Sequence, residues 1–209
     1  GPNSTHPLEN VGFYSNLIEC VSLVIIPMGC VWMFGEITKH KKHALVIFAV
    51  MTVLCLVKLG CAITFESEPT NALHGLPVAA ASNLEGKELR LGAGASPLWA
   101  VFTTCTSNGS VNSMHCSLNP LTGLIPLVGM WFNITFGGIG VGFLGLFTYI
   151  IIGVFICGMM VGRTPEYLGK KVETREMKYA LPALLMHPLC ILGGMAIFCL
   201  IPSWGRDTV

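Results

Sequence analysis

Four apolar runs, Asn16–Phe34, Leu45–Phe65, Leu121–Val161 and Leu181–Pro202, leave this chain few ways to fold. In water each would need covering on every side. In a bilayer a helix of about 20 apolar residues satisfies its own backbone groups, and lipid covers the rest. Composition agrees: 53% of residues are hydrophobic, 11% are charged and mean hydropathy is +0.69, where a soluble domain carries about 25% charge. The chain reads as an all-α integral membrane protein. A net charge of +1 with no dense basic cluster gives no reason to expect nucleic acid. The nine cysteines show no C-x-x-C and no metal-ligand spacing. Cys20, Cys30, Cys55, Cys157 and Cys199 sit inside apolar runs, where cysteine acts as a small hydrophobe. The sequence starts without Met and without a signal-peptide n-region, so it is expected to be a piece of something longer.

Basic residues orient the runs. Lys39, Lys41 and Lys42 lie between the first two, and Arg163, Lys170, Lys171, Arg175 and Lys178 between the last two, which puts both connections in the cytoplasm. Glu66, Glu68, Glu85 and Glu88 outnumber Lys87 and Arg90 in the 66–96 connection, which suits the outside.

Between them stands Ser96–Asn112. Ser96 offers a capping oxygen, Pro97 suits a first helical position, and Leu98–Phe102 is apolar. Uncharged hydroxyl and amide residues follow. A helix over Pro97–Cys105 would rise only about 13 Å against about 30 Å of hydrocarbon. Polar non-helical backbone is tolerated at that depth only where it lines an aqueous path, so the pattern is that of a pore helix and filter; the competing reading is a short helix and a surface loop. Parity favours a re-entrant stretch. The second run ends outside and the third must end inside at Arg163, so a single crossing by Leu121–Val161 returns Ser96–Asn112 to the face it entered. The rival topology, a full span at Ser96–Cys116, carries Thr103, Thr104, Thr106, Ser107, Asn108, Ser110, Asn112 and Ser113 through lipid at several kcal/mol for each unpaired group.

Leu121–Val161 would rise about 60 Å as one helix, twice one crossing. Its centre, Phe136–Phe143, contains Gly137, Gly138, Gly140 and Gly142. Glycine at that density permits a break that could act as a gate, or close packing of helices through small residues. Gly140–Gly145 also fits G-x-G-x-x-G, but no strand precedes it and the apolar run continues past it, so no dinucleotide site is expected. The glycosylation triplets at Asn3, Asn108 and Asn133 carry no weight, two of them falling in or beside the membrane. Lys58 is expected to snorkel toward the outer interface, with pairing or repulsion of cations as the alternative. His115 is expected to face a vestibule, and His187 to be a buried hydrogen-bonded histidine. Glu19 is read as interfacial or as an attractor of cations.

Several segments resemble one family. Thr103–His115 is similar to the third filter loop of the potassium-binding A subunit of the bacterial Kdp potassium-transporting P-type ATPase. Gly162–Lys171, reading Gly-Arg-Thr-Pro-Glu-Tyr-Leu-Gly-Lys-Lys, resembles that family's cytoplasmic signature after the third repeat. Asn3–Asn10, Glu85–Glu88 and Phe136–Gly142 also fit, in the family's order. Cys116 stands where the family commonly has Asp, Leu8 and Leu91 where it has Phe, and Val11 where it has Pro.

The resemblance implies membrane–pore–membrane repeats of the potassium-transporter superfamily, each with a re-entrant pore helix and filter loop. Residues 1–44 would then be the end of repeat two, with an inward helix at 16–34. Residues 45–178 would be repeat three: helix 45–65, external loop 66–96, pore helix 97–105, filter 106–112, long broken helix 121–161 and a cytoplasmic loop. Residues 179–209 would be the first helix of repeat four. It further implies a potassium-binding filter at Thr106, Ser107, Asn108, Gly109 and Ser110, with K+ held through Thr106, Ser107, Asn108 and Gly109. A gating loop is implied at Gly137, Gly138, Gly140 and Gly142, and coupling to a partner through Arg163, Glu166, Lys170 and Lys171. Implied partners are the ATP-hydrolysing B subunit with the C and small F subunits of the Kdp complex, in a bacterial inner membrane. No covalently bound cofactor is expected, K+ being the transported ion. The chain has no Asp-Lys-Thr-Gly motif and no P-loop, so ATP chemistry is not expected on it. The alternative is a stand-alone, ATP-independent potassium channel or secondary cation transporter of the same superfamily; Gly162–Lys171 favours the pump.

Overall fold

The computed structural model describes residues 6, 8–69 and 83–201. The Asn3 triplet and the middle of the 66–96 connection lie outside the described residues. The helices are α1 (Phe13–Thr38), α2 (Lys41–Ser67), α3 (Ala95–Thr106), α4 (Pro120–Phe132), α5 (Val141–Val161) and α6 (Thr174–Leu200), with a short 3-10 turn at His115–Ser117. Strands β1 (Glu166–Tyr167) and β2 (Lys170–Lys171) are the one sheet among the described residues. By length and composition α1, α2, α5 and α6 can each cross a membrane. The chain divides into two compact units, up to Phe143 and from Leu144 onward.

In the first unit α1 and α2 form a hairpin. Lys39 turns the chain in the left-handed conformation (φ 58°), and Gly35 lets the helices close, since a Cβ there would lie 2.6 Å from Ala44 Cβ. Outward faces such as Ile18, Val21, Ile25, Val53 and Leu56 are exposed, as a lipid-facing surface requires. α3 is different. It packs against α1, α2 and α4, and Trp99, Ala100, Val101 and Cys105 are almost wholly buried. A helix of 12 residues rises about 18 Å, too short to cross, and lies as the core of this unit.

One correction concerns its start. Ser96 does not cap α3: the helix begins at Ala95 after Gly94, and Ser96 is buried in the first turn. The segments flanking α3 are held by a pairing of two residues, Glu66 and Lys87, that the sequence reading counts only as charges. Glu66 Oε1 and Lys87 Nζ form an ion pair at 2.7 Å with both side chains buried. Around it Asn83 Nδ2 donates to Glu66 Oε1 (3.0 Å), the Asn119 backbone N–H donates to Glu66 Oε2 (3.0 Å), and Lys87 Nζ donates to the Ser117 carbonyl (3.3 Å). Asn119 Nδ2 reaches back to the Phe65 and Glu68 carbonyls at the end of α2. Gly86 makes the approach possible, because a Cβ there would meet Ser117 Oγ at 2.3 Å. Nearby, Arg90 donates to the Asn10 carbonyl (3.0 Å), and its hydrogen bond to Glu88 holds that carboxyl below the usual carboxylate range.

The second unit contains α6 and the body of α5, with a β-hairpin between the helices. Leu168 and Gly169, at φ 51° and 76°, form the two-residue turn that the right-handed strand twist prefers. Glu166 pairs with Lys171 and Tyr167 with Lys170. Gly158 carries Pro165 against the helix, where a Cβ would come within 2.7 Å of Pro165 Cβ, and Phe147 meets Tyr167 edge-on. Glu176 Oε2 accepts from the Glu173 N–H at the start of α6. His187, expected to be buried, is half-buried on α6.

The buried pair gives a sign test. Lys87→Met leaves the Glu66 charge uncompensated and is expected to cost about 3–5 kcal/mol. Glu66→Gln combined with Lys87→Met removes both charges and is expected to recover most of that loss. Thermal unfolding of the purified single and double variants measures both.

Candidate functional site

The site is built where α3 ends. Its last turn is uncharged and buried, and Thr104 and Thr106 turn their hydroxyls back into the helix, donating to the Ala100 and Phe102 carbonyls at 2.6 and 2.9 Å. Thr106, read from the sequence as the first filter residue, is therefore the last residue of the helix, and its hydroxyl is spent inside it. Ser107 takes the left-handed conformation (φ 55°) and stops the helix. The N–H groups of Ser107 and Asn108 both donate to the Thr103 carbonyl.

From there the chain runs back along α3. Gly109 is at φ +81°, with open space where a Cβ would stand. Trp99 Nε1 donates to the Ser110 carbonyl at 3.0 Å, and Asn112 Nδ2 donates to the Ala95 carbonyl at 3.3 Å. Helix and returning loop thus form one hairpin pinned at two levels. Ser107, Asn108 and Gly109 at its tip are exposed, whereas Thr106 and Ser110 are buried.

Beneath the tip lies the break between α4 and α5. Asn133, Phe136, Gly138 and Gly140 all have positive φ, so the chain leaves helical geometry over 133–140. Phe136 is buried and packs its ring on Phe48 (centroids 5.6 Å apart). The two irregular segments meet directly: Gly138 N–H donates to the Thr106 carbonyl at 3.0 Å. Gly137 and Gly142 close the break on itself through a 3.0 Å bond from Gly142 N–H to Gly137 C=O. A Cβ on Gly142 would lie 2.2 Å from Gly137 N, and one on Gly137 would lie 3.0 Å from the Cys105 carbonyl oxygen. The four glycines are thus needed for close approach or for positive φ.

A cavity of about 410 Å³ opens against this junction, lined by Glu19, Ser22 and Pro27 of α1 together with Thr106, Asn108 and Gly138. Pro27 has no N–H to give the Leu23 carbonyl in its own helix, and Leu23 also lines the cavity. Leu23, Ile26, Trp99 and Ile139 make most of the wall apolar, and its polar groups are the Glu19 carboxylate, Ser22, Thr106 and Asn108, with no cationic side chain. Oxygens of this kind can take the place of a monovalent cation's water only where several converge.

Lys58 departs from expectation. It does not snorkel outward. From α2 its ammonium turns inward behind α3, donating to Cys105 Sγ at 3.2 Å and to Thr135 Oγ1 in the break. Thr135 Oγ1 in turn donates to Cys105 Sγ at 3.1 Å. His115 is exposed, and no group of three or more His, Cys, Asp or Glu among the described residues could hold a metal ion. Arg163, Glu166, Lys170 and Lys171 are brought together on and beside the β-hairpin of the second unit, all exposed, with the Arg163 N–H tied to the Gly158 carbonyl at 3.1 Å.

Four helices long and apolar enough to cross a membrane, with a short buried helix, an exposed hairpin tip and a glycine-rich break among them, define a multi-pass membrane protein. Comparison with known proteins makes the class particular. The family model for the potassium-transporting ATPase A subunit (KdpA) matches residues 1–208, and the chain belongs to that family. It is 49% identical over its whole length to the potassium-transporting ATPase potassium-binding subunit of Bacteroides thetaiotaomicron, covering 37% of that relative. It is 44% identical to the protein of the same name from Pseudomonas aeruginosa, with 97% of this chain and 36% of the relative aligned. The chain thus spans little more than a third of the length of these curated relatives.

The glycine packing is directly testable. Gly142→Ala forces the break apart and is expected to cost about 1–3 kcal/mol, the usual range for overpacking. Gly153→Ala, in helical α5 with open space around it, is expected to be neutral or stabilising by up to about 1 kcal/mol. Thermal midpoints of the two variants, compared side by side, separate these outcomes.

Proposed function

We propose that this chain supplies one filter loop and one gating segment to the potassium pathway of an ATP-driven potassium import pump. The observation that carries the reading is the hairpin of α3 and residues 107–112, standing on the glycine break through the Thr106–Gly138 bond. Support also comes from the relatives, whose printed name is potassium-binding subunit of the potassium-transporting ATPase.

In this reading the hairpin is re-entrant. The bonds from Trp99 to Ser110 and from Asn112 to Ala95 return the chain to the level at which α3 began. Ser107, Asn108 and Gly109 expose backbone oxygens at the tip, and K+ exchanges water for such oxygens at little net cost. The carbonyls of Thr106 and Ser110 already accept one hydrogen bond each, so their part in K+ binding uses the second lone pair. The C-terminal end of α3 directs its partial negative charge to the same place. Gly137, Gly138, Gly140 and Gly142 form the gating loop below. Repeat three occupies 45–178, flanked by the end of repeat two and the first helix of repeat four. The hairpin bearing Arg163, Glu166, Lys170 and Lys171 faces the ATP-hydrolysing B subunit, while the C and F subunits complete the assembly. ATP chemistry belongs to the partner, and this chain binds and passes the ion.

The test replaces the matching stretch of the Bacteroides thetaiotaomicron relative with residues 1–209, to give a full-length chimera. Gly109→Ser in that chimera must either hold φ +81°, at about 1–2 kcal/mol for a residue with a Cβ, or turn a carbonyl away from the ion. Since 1.4 kcal/mol is tenfold in binding, the potassium concentration for half-maximal uptake is expected to rise about tenfold, with membrane abundance unchanged. Unchanged affinity and selectivity would return the loop to a vestibule role.

Sidedness has its own measurement. Glu85→Cys is expected to react with an impermeant thiol reagent added outside intact cells, and Lys171→Cys only after the inner face is exposed. Labelling of both from one side would overturn the topology.

A further inference from the structure

Lys58 is the one charged residue in the interior of α2; Lys41, Lys42 and Glu66 stand in its terminal turns. An ammonium within a membrane-crossing helix is disfavoured unless it turns toward protein or water, and here it turns toward protein. It touches Cys105, in the last turn of α3, and Thr135, in the break between α4 and α5. Gly129 of α4 passes beside it, at a distance where a Cβ would stand in ordinary contact, 3.7 Å from Nζ. Neither contact pairs it with a carboxylate, and the described ion pairs do not include it. The Lys58 amine therefore sits against Cys105, one residue before Thr106, which lines the cavity.

We propose that Lys58 is a resident cation that sets the ion affinity of the filter from behind. This rests on the potassium-pathway reading above. The end of α3 offers partial negative charge to any nearby cation, and the ammonium of Lys58 already takes part of it. In a low-dielectric interior the same charge also repels an ion held at the hairpin tip. The filter consequently binds its ion less tightly than it would with a neutral residue at position 58. A site that must both capture and release an ion benefits from that limit. A strut role makes the opposite forecast: removing the lysine would loosen the junction of α3 with the break and weaken binding. Thr135 Oγ1 keeps its bond to Cys105 Sγ without the lysine, so a neutral variant need not leave that hydroxyl without a partner.

The full-length chimera, assembled with its partner subunits, is assayed for potassium uptake and for displacement of bound thallous ion by potassium. Lys58→Met and Lys58→Leu are each expected to lower the half-saturating potassium concentration about threefold or more, as loss of a nearby like charge requires. Lys58→Arg, which keeps the charge, is expected to stay at the starting value. Unchanged or weaker binding in both neutral variants overturns the inference and leaves the potassium reading standing. Absence of both neutral variants from the membrane makes Lys58 a strut and also overturns it. If the unsubstituted chimera neither binds nor takes up potassium, the potassium reading itself fails, and this inference falls with it.

Discussion

Backbone that leaves helical geometry inside a low-dielectric layer must find a partner for each buried N–H and C=O, and the bond from Gly138 to Thr106 is where this chain meets that demand twice at once. It gives a donor to the end of α3 and an acceptor to the break after α4. Two irregular segments, each costly alone, become one buried junction. Everything that surrounds it serves the approach. Gly137 and Gly142 let the backbone close, Phe136 fills the space against Phe48, and Ser107 ends the helix early enough for the chain to turn back.

The segments on either side of α3 are organised by the opposite device. There the chain holds its position with charge, through Glu66 and Lys87 in a nest of Asn83, Asn119 and Ser117. Replacing a buried ion pair with apolar residues often costs nothing, so this pair is better understood as fixing register than as adding stability. It locks the segment leading into α3 against the segment leading out to α4. The hairpin between them is thereby held at both shoulders, while its tip at Ser107–Gly109 keeps its oxygens free.

Much of this was legible beforehand because the signals are local. Apolar runs, the positive flanks and the glycines of 137–142 need only their neighbours in sequence to be read. The rest depended on contacts between distant residues. Ser96 looked like a cap, but α3 starts at Ala95 and buries Ser96 in its first turn. Reading Thr106 for its backbone oxygen does not show that this carbonyl accepts from Gly138, or that the hydroxyl donates within its own helix. Lys58 looked like a snorkelling residue because nothing in α2 shows that α3 and the break pass behind it. Glu66 and Lys87 could not be paired from a charge count over a connection. The β-hairpin at 166–171 has strands of two residues each, too short to show any alternation in sequence.

In the potassium-pathway reading proposed above, the hairpin carries its tuning outside the oxygens that meet the ion. The oxygens at the tip belong to the backbone, and the carbonyls flanking them already accept hydrogen bonds: Thr103 from two N–H groups, Thr106 from Gly138 and Ser110 from Trp99. Affinity can then be adjusted through the field at the tip. That field has two charged contributors placed by neighbouring helices, Glu19 on the cavity side and Lys58 behind. On the proposal made above, their opposite signs let the chain raise local cation concentration in the cavity while limiting how tightly the ion is kept. The same separation explains why a charge could be accommodated at position 58 at all. Placed on the cavity side, it would stand in the ion's path; placed behind α3, it meets only a thiol and a hydroxyl, and acts through space.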